Sequence, residues 1–138
     1  MTHGLARKTT ASTTPGCRVQ LFASTPGAPV RWRLLGSNNR EIGRGAESFA
    51  DAETCRIAVK ELQMVIDEFE SAVRRTDRND WVWQLRSDDR LVVVSAHGYD
   101  RQIRCAHGLA QFIDEMGQAG IGPGLMTSHA RRWGGSIA

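Results

Sequence analysis

Val30-Arg31-Trp32-Arg33-Leu34 alternates apolar and charged residues, and its core returns fifty-one positions later as Trp83-Gln84-Leu85. The alternation is that of a strand with one buried face. The recurrence extends outward on both sides. Arg40 and Ile42 come back as Arg90 and Val92, Phe49 as Tyr99, Cys55 as Cys105, Val59 as Leu109 and Leu62 as Phe112, all at an offset of 50. The change of offset places one gained or lost residue in the turn between Leu34 and Arg40. Self-similarity at this period predicts one supersecondary unit used twice, with the copies burying their apolar faces together.

Each unit reads as three strands and a helix. In the first, Val19 to Ala23 is a strand stopped by Thr25-Pro26-Gly27-Ala28-Pro29, and Val30 to Leu34 is the second. Ser37-Asn38-Asn39 turns the chain, since Asn tolerates positive φ. Arg40 to Ala46 follows, weakened by Gly43 and Gly45. Asp51 is the expected N-cap of a helix reaching about Glu70, with Cys55, Val59, Leu62, Ile66 and Phe69 on its inward stripe. The second unit repeats the plan with strands at Ala72 to Arg75, Trp81 to Leu85 and Leu91 to Ala96. Its helix runs from Arg101 to Met116 and stops at Gly117 and Gly120. One helix on three strands hides its stripe poorly, so the expected fold is α+β: two tandem βββα repeats forming one antiparallel sheet with two helices packed on one face. Trp32 and Trp83 are its central core residues.

The organisation expected is a disordered N-terminal tail over 1–16, a single repeat domain over 17–120 (repeats 17–70 and 71–120), and a Gly-rich C-terminal tail over 121–138. In that last tail Leu125, Met126 and Trp133 need something to rest on. The chain carries a net charge of +3, but residues 17–120 hold 14 basic against 15 acidic side chains. The positive balance therefore comes from the tails, which argues against a phosphate-tracking folded surface. Three cysteines, an odd number, do not form a disulfide framework. No apolar run reaches the length of a membrane span, and the N-terminus lacks the apolar stretch of a signal peptide. A cytoplasmic location is the expectation.

These repeats resemble the YegP-like family of small bacterial proteins, over about residues 17–120. Trp83-Gln84-Leu85, Ser95, Tyr99 and Gly108-Leu109 match the family's pattern. The first unit departs from it, with Asn38-Asn39 lacking the usual Gly, Gly45 in place of Ser and Phe49 in place of Tyr. The resemblance implies tandem units of about fifty residues joined into one sheet. It implies no catalytic residue, because the family's function is unknown.

Residue types with chemical potential mostly have plainer readings. Cys55 and Cys105 fall on inward helix stripes, where a free thiol packs as a small hydrophobe. Cys17, at the edge of the tail, is the cysteine expected to react. His97, Asp100, Cys105 and His107 include a nucleophile and bases, but no nucleophile elbow, phosphate loop or metal spacing accompanies them. The expectation is no enzyme, no cofactor and no metal. Arg31 and Arg33 face away from Trp32 and, with Arg18, Arg40, Arg44 and Arg74, gather on the open face of the sheet. Val82, Leu91 and Val93 hold matching outward positions in the second unit, and an apolar patch left in water is a binding surface. Either the C-terminal tail covers it or a protein partner does. The function expected is a protein-interaction module using the open sheet face around Val82, Leu91, Val93, Arg31 and Arg33. The alternative is a nucleic-acid-associated accessory protein using the face arginines and the basic tails. A chain that completes its sheet internally is expected to be a monomer or a weak homodimer.

Overall fold

The computed structural model describes residues 16–127. The expected tail over 1–15, and Trp133 with the rest of 128–138, lie outside the described residues. In chain order the elements are β1 (Arg18–Ala23), β2 (Arg31–Leu35), β3 (Glu41–Gly45), α1 (Ala52–Met64), a 3-10 turn (Ile66–Glu68), β4 (Glu70–Arg75), β5 (Trp81–Ser87), β6 (Arg90–Ser95), α2 (Gln102–Met116), β7 (Gly120–Ile121) and β8 (Met126–Thr127).

All eight strands join one sheet in the order β4-β5-β6-β3-β2-β1-β7, with β8 also on β1. The seam is β3 against β6, where Gly43 meets Ser95 and Gly45 meets Val93. The sheet is larger than six strands and not wholly antiparallel. β7 and β8 pair parallel with β1, through Arg18↔Gly120, Val19↔Ile121, Phe22↔Met126 and Ala23↔Thr127. The tail region therefore adds to the sheet's edge. Leu125 and Met126 lie at the opposite side of the sheet from β5 and do not cover Val82 or Leu91.

The core lies between the sheet and the two helices. Val19, Leu21, Trp32, Leu34, Trp83, Leu85 and Val93 supply the sheet side, and Cys55, Val59, Leu62, Cys105, Phe112 and Met116 the helix side. Asp51 caps α1 as expected, accepting a 2.7 Å hydrogen bond from the Thr54 N–H. That helix ends at Met64, six residues short of the expected boundary. β-branched Val65 and Ile66 leave the helical conformation there, and the Val65 N–H closes back on the Leu62 carbonyl. Ile66 still reaches the core from the 3-10 turn.

Phe112 is shared by both indoles, 6.4 Å from Trp32 and 4.9 Å from Trp83 between ring centroids. Each indole also presses on a glycine of β3. A methyl group at Gly43 would come within 2.7 Å of Trp83 Cη2, and one at Gly45 within 2.7 Å of Trp32 Cε2. The glycines that weaken β3 as a strand thus make room for the largest core side chains.

Two bulges reset the alternation. The partners of Leu34 and Leu35 are Gly43 and Glu41, leaving Ile42 unpaired; those of Leu85 and Arg86 are Val93 and Leu91, leaving Val92 unpaired. Past an extra residue, the next side chain turns to the other face. Leu91 consequently stays outward, while Val93 points into the core and is fully buried. The expected placement of Val93 on the outer patch is therefore wrong.

Candidate functional site: the open sheet face and two unequal clefts

Both helices lie on one side, so the other side of the sheet is open among the described residues. The buried residues Val19, Leu21, Trp32, Leu34, Trp83 and Leu85 define the inward positions of the strands. Through the pairing register, the outward ones are Arg18, Gln20, Phe22, Arg31, Arg33, Leu35, Glu41, Arg44, Glu70, Ala72, Arg74, Val82, Gln84, Arg86, Leu91 and Val94. Six arginines stand against two glutamates. The remaining described residues hold eight basic and thirteen acidic side chains. The open face is thus basic and the rest of the described residues acidic, which the near-zero sum over the domain had concealed. Arg40, expected on this face, instead lines a cleft on the helix side.

The arginines form a braced network. Arg33 donates to Gln20 Oε1 at 2.9 and 2.6 Å and lies 3.4 Å from Glu41 Oε1. Arg44 meets the other oxygen of Glu41 at 2.5 Å. Two cations therefore share one carboxylate and leave positive charge unspent. Arg33 also sits 5.0 Å above the Phe22 ring, the one aromatic on this face. Arg31 donates to the Gly45 carbonyl at 3.4 Å, while its Nε is buried without a partner. Leu35, Val82, Leu91 and Val94 interleave with these cations. Val82 and Leu91 are half-buried, as side chains on a bare sheet are.

On the helix side two clefts flank the seam. The larger, about 720 Å³, lies between the β2–β3 turn, the loop after β6 and α2. It brings together His97, Asp100 and His107 with Cys17, Arg40, Tyr99 and Glu115; Cys105 is in the core instead. The smaller, about 370 Å³, is built from corresponding positions of the other half and is lined by Phe49, Ala58, Val65, Phe69 and Arg90. Tyr99 and Phe49 are held alike, by paired backbone bonds to Trp81 and to Val30. The first cleft is polar and the second mostly apolar.

Cys17 is not the reactive thiol expected. It is half-buried and donates to Glu115 Oε1 at 2.8 Å. Burial, then the Glu115 hydrogen bond and charge, push its pKa up to about 12. Cys55 is pushed up to about 11 by burial, and burial likewise raises Cys105. A protonated thiol is a poor nucleophile. Elsewhere in the cleft some of the polar groups are already engaged. Arg104 pairs with Asp100 at 3.7 Å, His97 Nδ1 sits 2.9 Å from the Gly98 carbonyl, and the His97 ring packs on Tyr99 at 4.5 Å. Burial raises the Tyr99 pKa, opposed by the Trp83 indole. Among the described residues no group of three or more His, Cys, Asp or Glu is placed to hold a metal ion. The Cys17–Glu115 contact joins residues 98 apart, and no sequence spacing signals it.

No protein-family model matches the sequence, and no curated protein matches it. Solved structures do. The solution structure of the UPF0339 protein SO3888 from Shewanella oneidensis is similar at a TM-score of 0.62 and 11% identity, covering 77% of this chain and 89% of that one. The yegP protein of unknown function from E. coli is similar at 0.61 and 12%, covering 80% and 94%. The fold is thus the YegP-like one that the tryptophan motifs suggested. Among the described residues no helix is long and apolar enough to cross a membrane.

Proposed function

We propose that this protein is a non-enzymatic interaction module whose open sheet face binds an acidic, aliphatic-rich protein segment in the cytoplasm. The observation that carries the reading is the separation of charge, with six arginines against two glutamates on the open face and an acidic excess elsewhere. Arginine interleaved with apolar side chains is the composition of protein interfaces. Val82, Leu91 and Val94 supply the apolar part, and Arg31, Arg33, Arg44 and Arg86 the charge. We further infer that the halves are copies of one βββα unit in a single domain over 17–120, with the second copy having kept the more apolar outer face.

The second reading is a nucleic-acid accessory role, favoured by the same concentration of arginine. Against it stands the single aromatic on that face among the described residues, Phe22, where single-strand binders offer several stacking platforms. A synthetic peptide alternating glutamate with leucine, and a single-stranded RNA oligonucleotide, are titrated separately and followed by amide chemical shifts. The reading expects the peptide to perturb β2, β5 and β6 and to lose affinity in Arg31→Glu/Arg86→Glu. Peptide affinity unchanged by that double substitution overturns it. RNA binding that weakens steeply with added salt installs the second reading instead.

A further inference from the structure

The two edges of the sheet are not alike. Beyond β1 the chain lays down β7 and β8, two-residue strands separated by Gly122-Pro123-Gly124-Leu125, and the Gly122 N–H bonds the Val19 carbonyl at 2.8 Å. Short, broken edge strands discourage further pairing. The other edge is β4, a full six-residue strand that has a neighbour on one side only among the described residues. The groups it leaves free follow from its hairpin. The Thr76 N–H bonds the Asp80 carbonyl, whereas the N–H and C=O of Trp81 both turn to Tyr99. Bonded and non-bonded pairs alternate along an antiparallel ladder. Given Arg75↔Trp81, Val73↔Trp83 and Ser71↔Leu85, the backbone groups of Ser71, Val73 and Arg75 face open solvent.

We propose that β4 pairs antiparallel with β4 of a second copy of this chain, making a closed homodimer with one continuous sheet. The partner is argued from charge. A twofold axis normal to the sheet keeps each face on its own side, so outward residues must oppose outward residues. Glu70, Ala72 and Arg74 are the outward residues of β4. Centring the axis on Ala72 sets Glu70 against the partner's Arg74 and Arg74 against the partner's Glu70. These are non-bonded positions, where cross-strand side chains approach most closely. Ser71 and Val73 then exchange backbone hydrogen bonds with the partner's Val73 and Ser71.

Neighbouring registers lose this match. Shifting toward the C-terminus sets Arg74 against alanine and Glu70 against threonine. Shifting the other way sets Arg74 against Glu68, which lies in the 3-10 turn and not in a strand. Charges that only protect an edge serve best with one sign. Here one of each sign sits two residues either side of a small residue, which makes the strand complementary to itself. The contact is isologous, and with the β1 edge blunted it closes at two copies.

The test uses the full chain in sedimentation equilibrium, from micromolar to near-millimolar concentration, with circular dichroism checking the fold of each variant. Glu70→Arg and Arg74→Glu are each expected to weaken the dimer at least about tenfold, since two cross-strand pairs turn repulsive together. Glu70→Arg/Arg74→Glu in one chain restores it. Ala72→Cys, in a Cys17→Ser background, is expected to give a disulfide-linked dimer under mild oxidation, because Cα atoms about 4.5 Å apart at a non-bonded pair suit the bond. A wild-type monomer throughout the range, a dimer indifferent to the single reversals, or a double reversal that fails to restore it overturns the proposal. None of these results bears on the open-face reading.

Discussion

Gly108 and Tyr99 offer a test of how tightly the second half is built. A methyl group at Gly108 would stand 2.7 Å from Tyr99 Cζ and still closer to its hydroxyl oxygen. The ring is held from behind, because the Tyr99 backbone exchanges both its hydrogen bonds with Trp81, at 2.7 and 2.8 Å. Gly108→Ala should therefore overpack the site, at a cost of about 1–3 kcal/mol. Against that, alanine in a helix interior gains about 1 kcal/mol over glycine. The net is a loss of up to about 2 kcal/mol. The other half holds Phe49 and Ala58 at the matching places in its own cleft, a ring without the hydroxyl over a helix with the methyl. Tyr99→Phe removes the nearest atom but keeps Cζ at 2.7 Å, so Gly108→Ala in that background should cost less than in the wild type. The expected coupling is at least about 1 kcal/mol in favour of the double variant, within the range for residues in contact. Urea unfolding of the four proteins measures it. Additive effects would show that the hydroxyl does not set the residue at 108, and the packing argument would fail.

Four further outcomes follow from the core, the thiols and the sheet edge. Trp83→Ala, removing a fully buried indole, should cost about 3–5 kcal/mol in denaturant unfolding. Gly43→Ala should cost about 1–3 kcal/mol, because Trp83 and Phe112 meet the new methyl within 3.0 Å from two directions; a thermal shift no larger than that of a surface substitution would contradict it. Stability should fall as pH rises from 9.0 toward 12: unfolded thiols ionise near their ordinary 9.0, while folded Cys17 and Cys55 hold their protons to about 12 and about 11. The folded state then binds more protons than the unfolded one, so the slope is negative, and Cys17→Ser should remove part of it. Deleting residues 120–138 strips β1 of β7 and β8, its outer neighbours among the described residues. It should increase concentration-dependent self-association by light scattering beyond that of the full chain, and an unchanged state of association would count against β7 and β8 as an edge guard.

Much of the fold was legible because local and global signals agree. The alternation around Trp32 and Trp83, the Asp51 cap and the inward stripes of both helices all appear where their periods place them. The misplacements have a common cause in events that leave no periodic trace. The bulge at Val92 inverts the alternation within a uniform Val-Val-Val run, so simple alternation puts Val93 on the wrong face. Helix α1 stops without a glycine or proline, only at two β-branched residues. β7 and β8 contain Gly and Pro and pair parallel with a strand a hundred residues earlier. On the open face, Arg31, Arg33, Val82 and Leu91 were found from alternation alone. The polar cleft was not, since it draws Cys17, Arg40, His97 and Glu115 from four separate segments.

The seam is asymmetric, and that limits how the two halves can be exchanged. Gly43 lies opposite Ser95 and Gly45 opposite Val93, so each bare backbone position faces one bearing a side chain. Trp83 leans on the first glycine and Trp32 on the second. A protein assembled from the N-terminal half twice would leave hollows beneath both indoles, and one from the C-terminal half twice would jam them. The two sides of the seam are fitted to each other, and neither could be exchanged for a second copy of its neighbour.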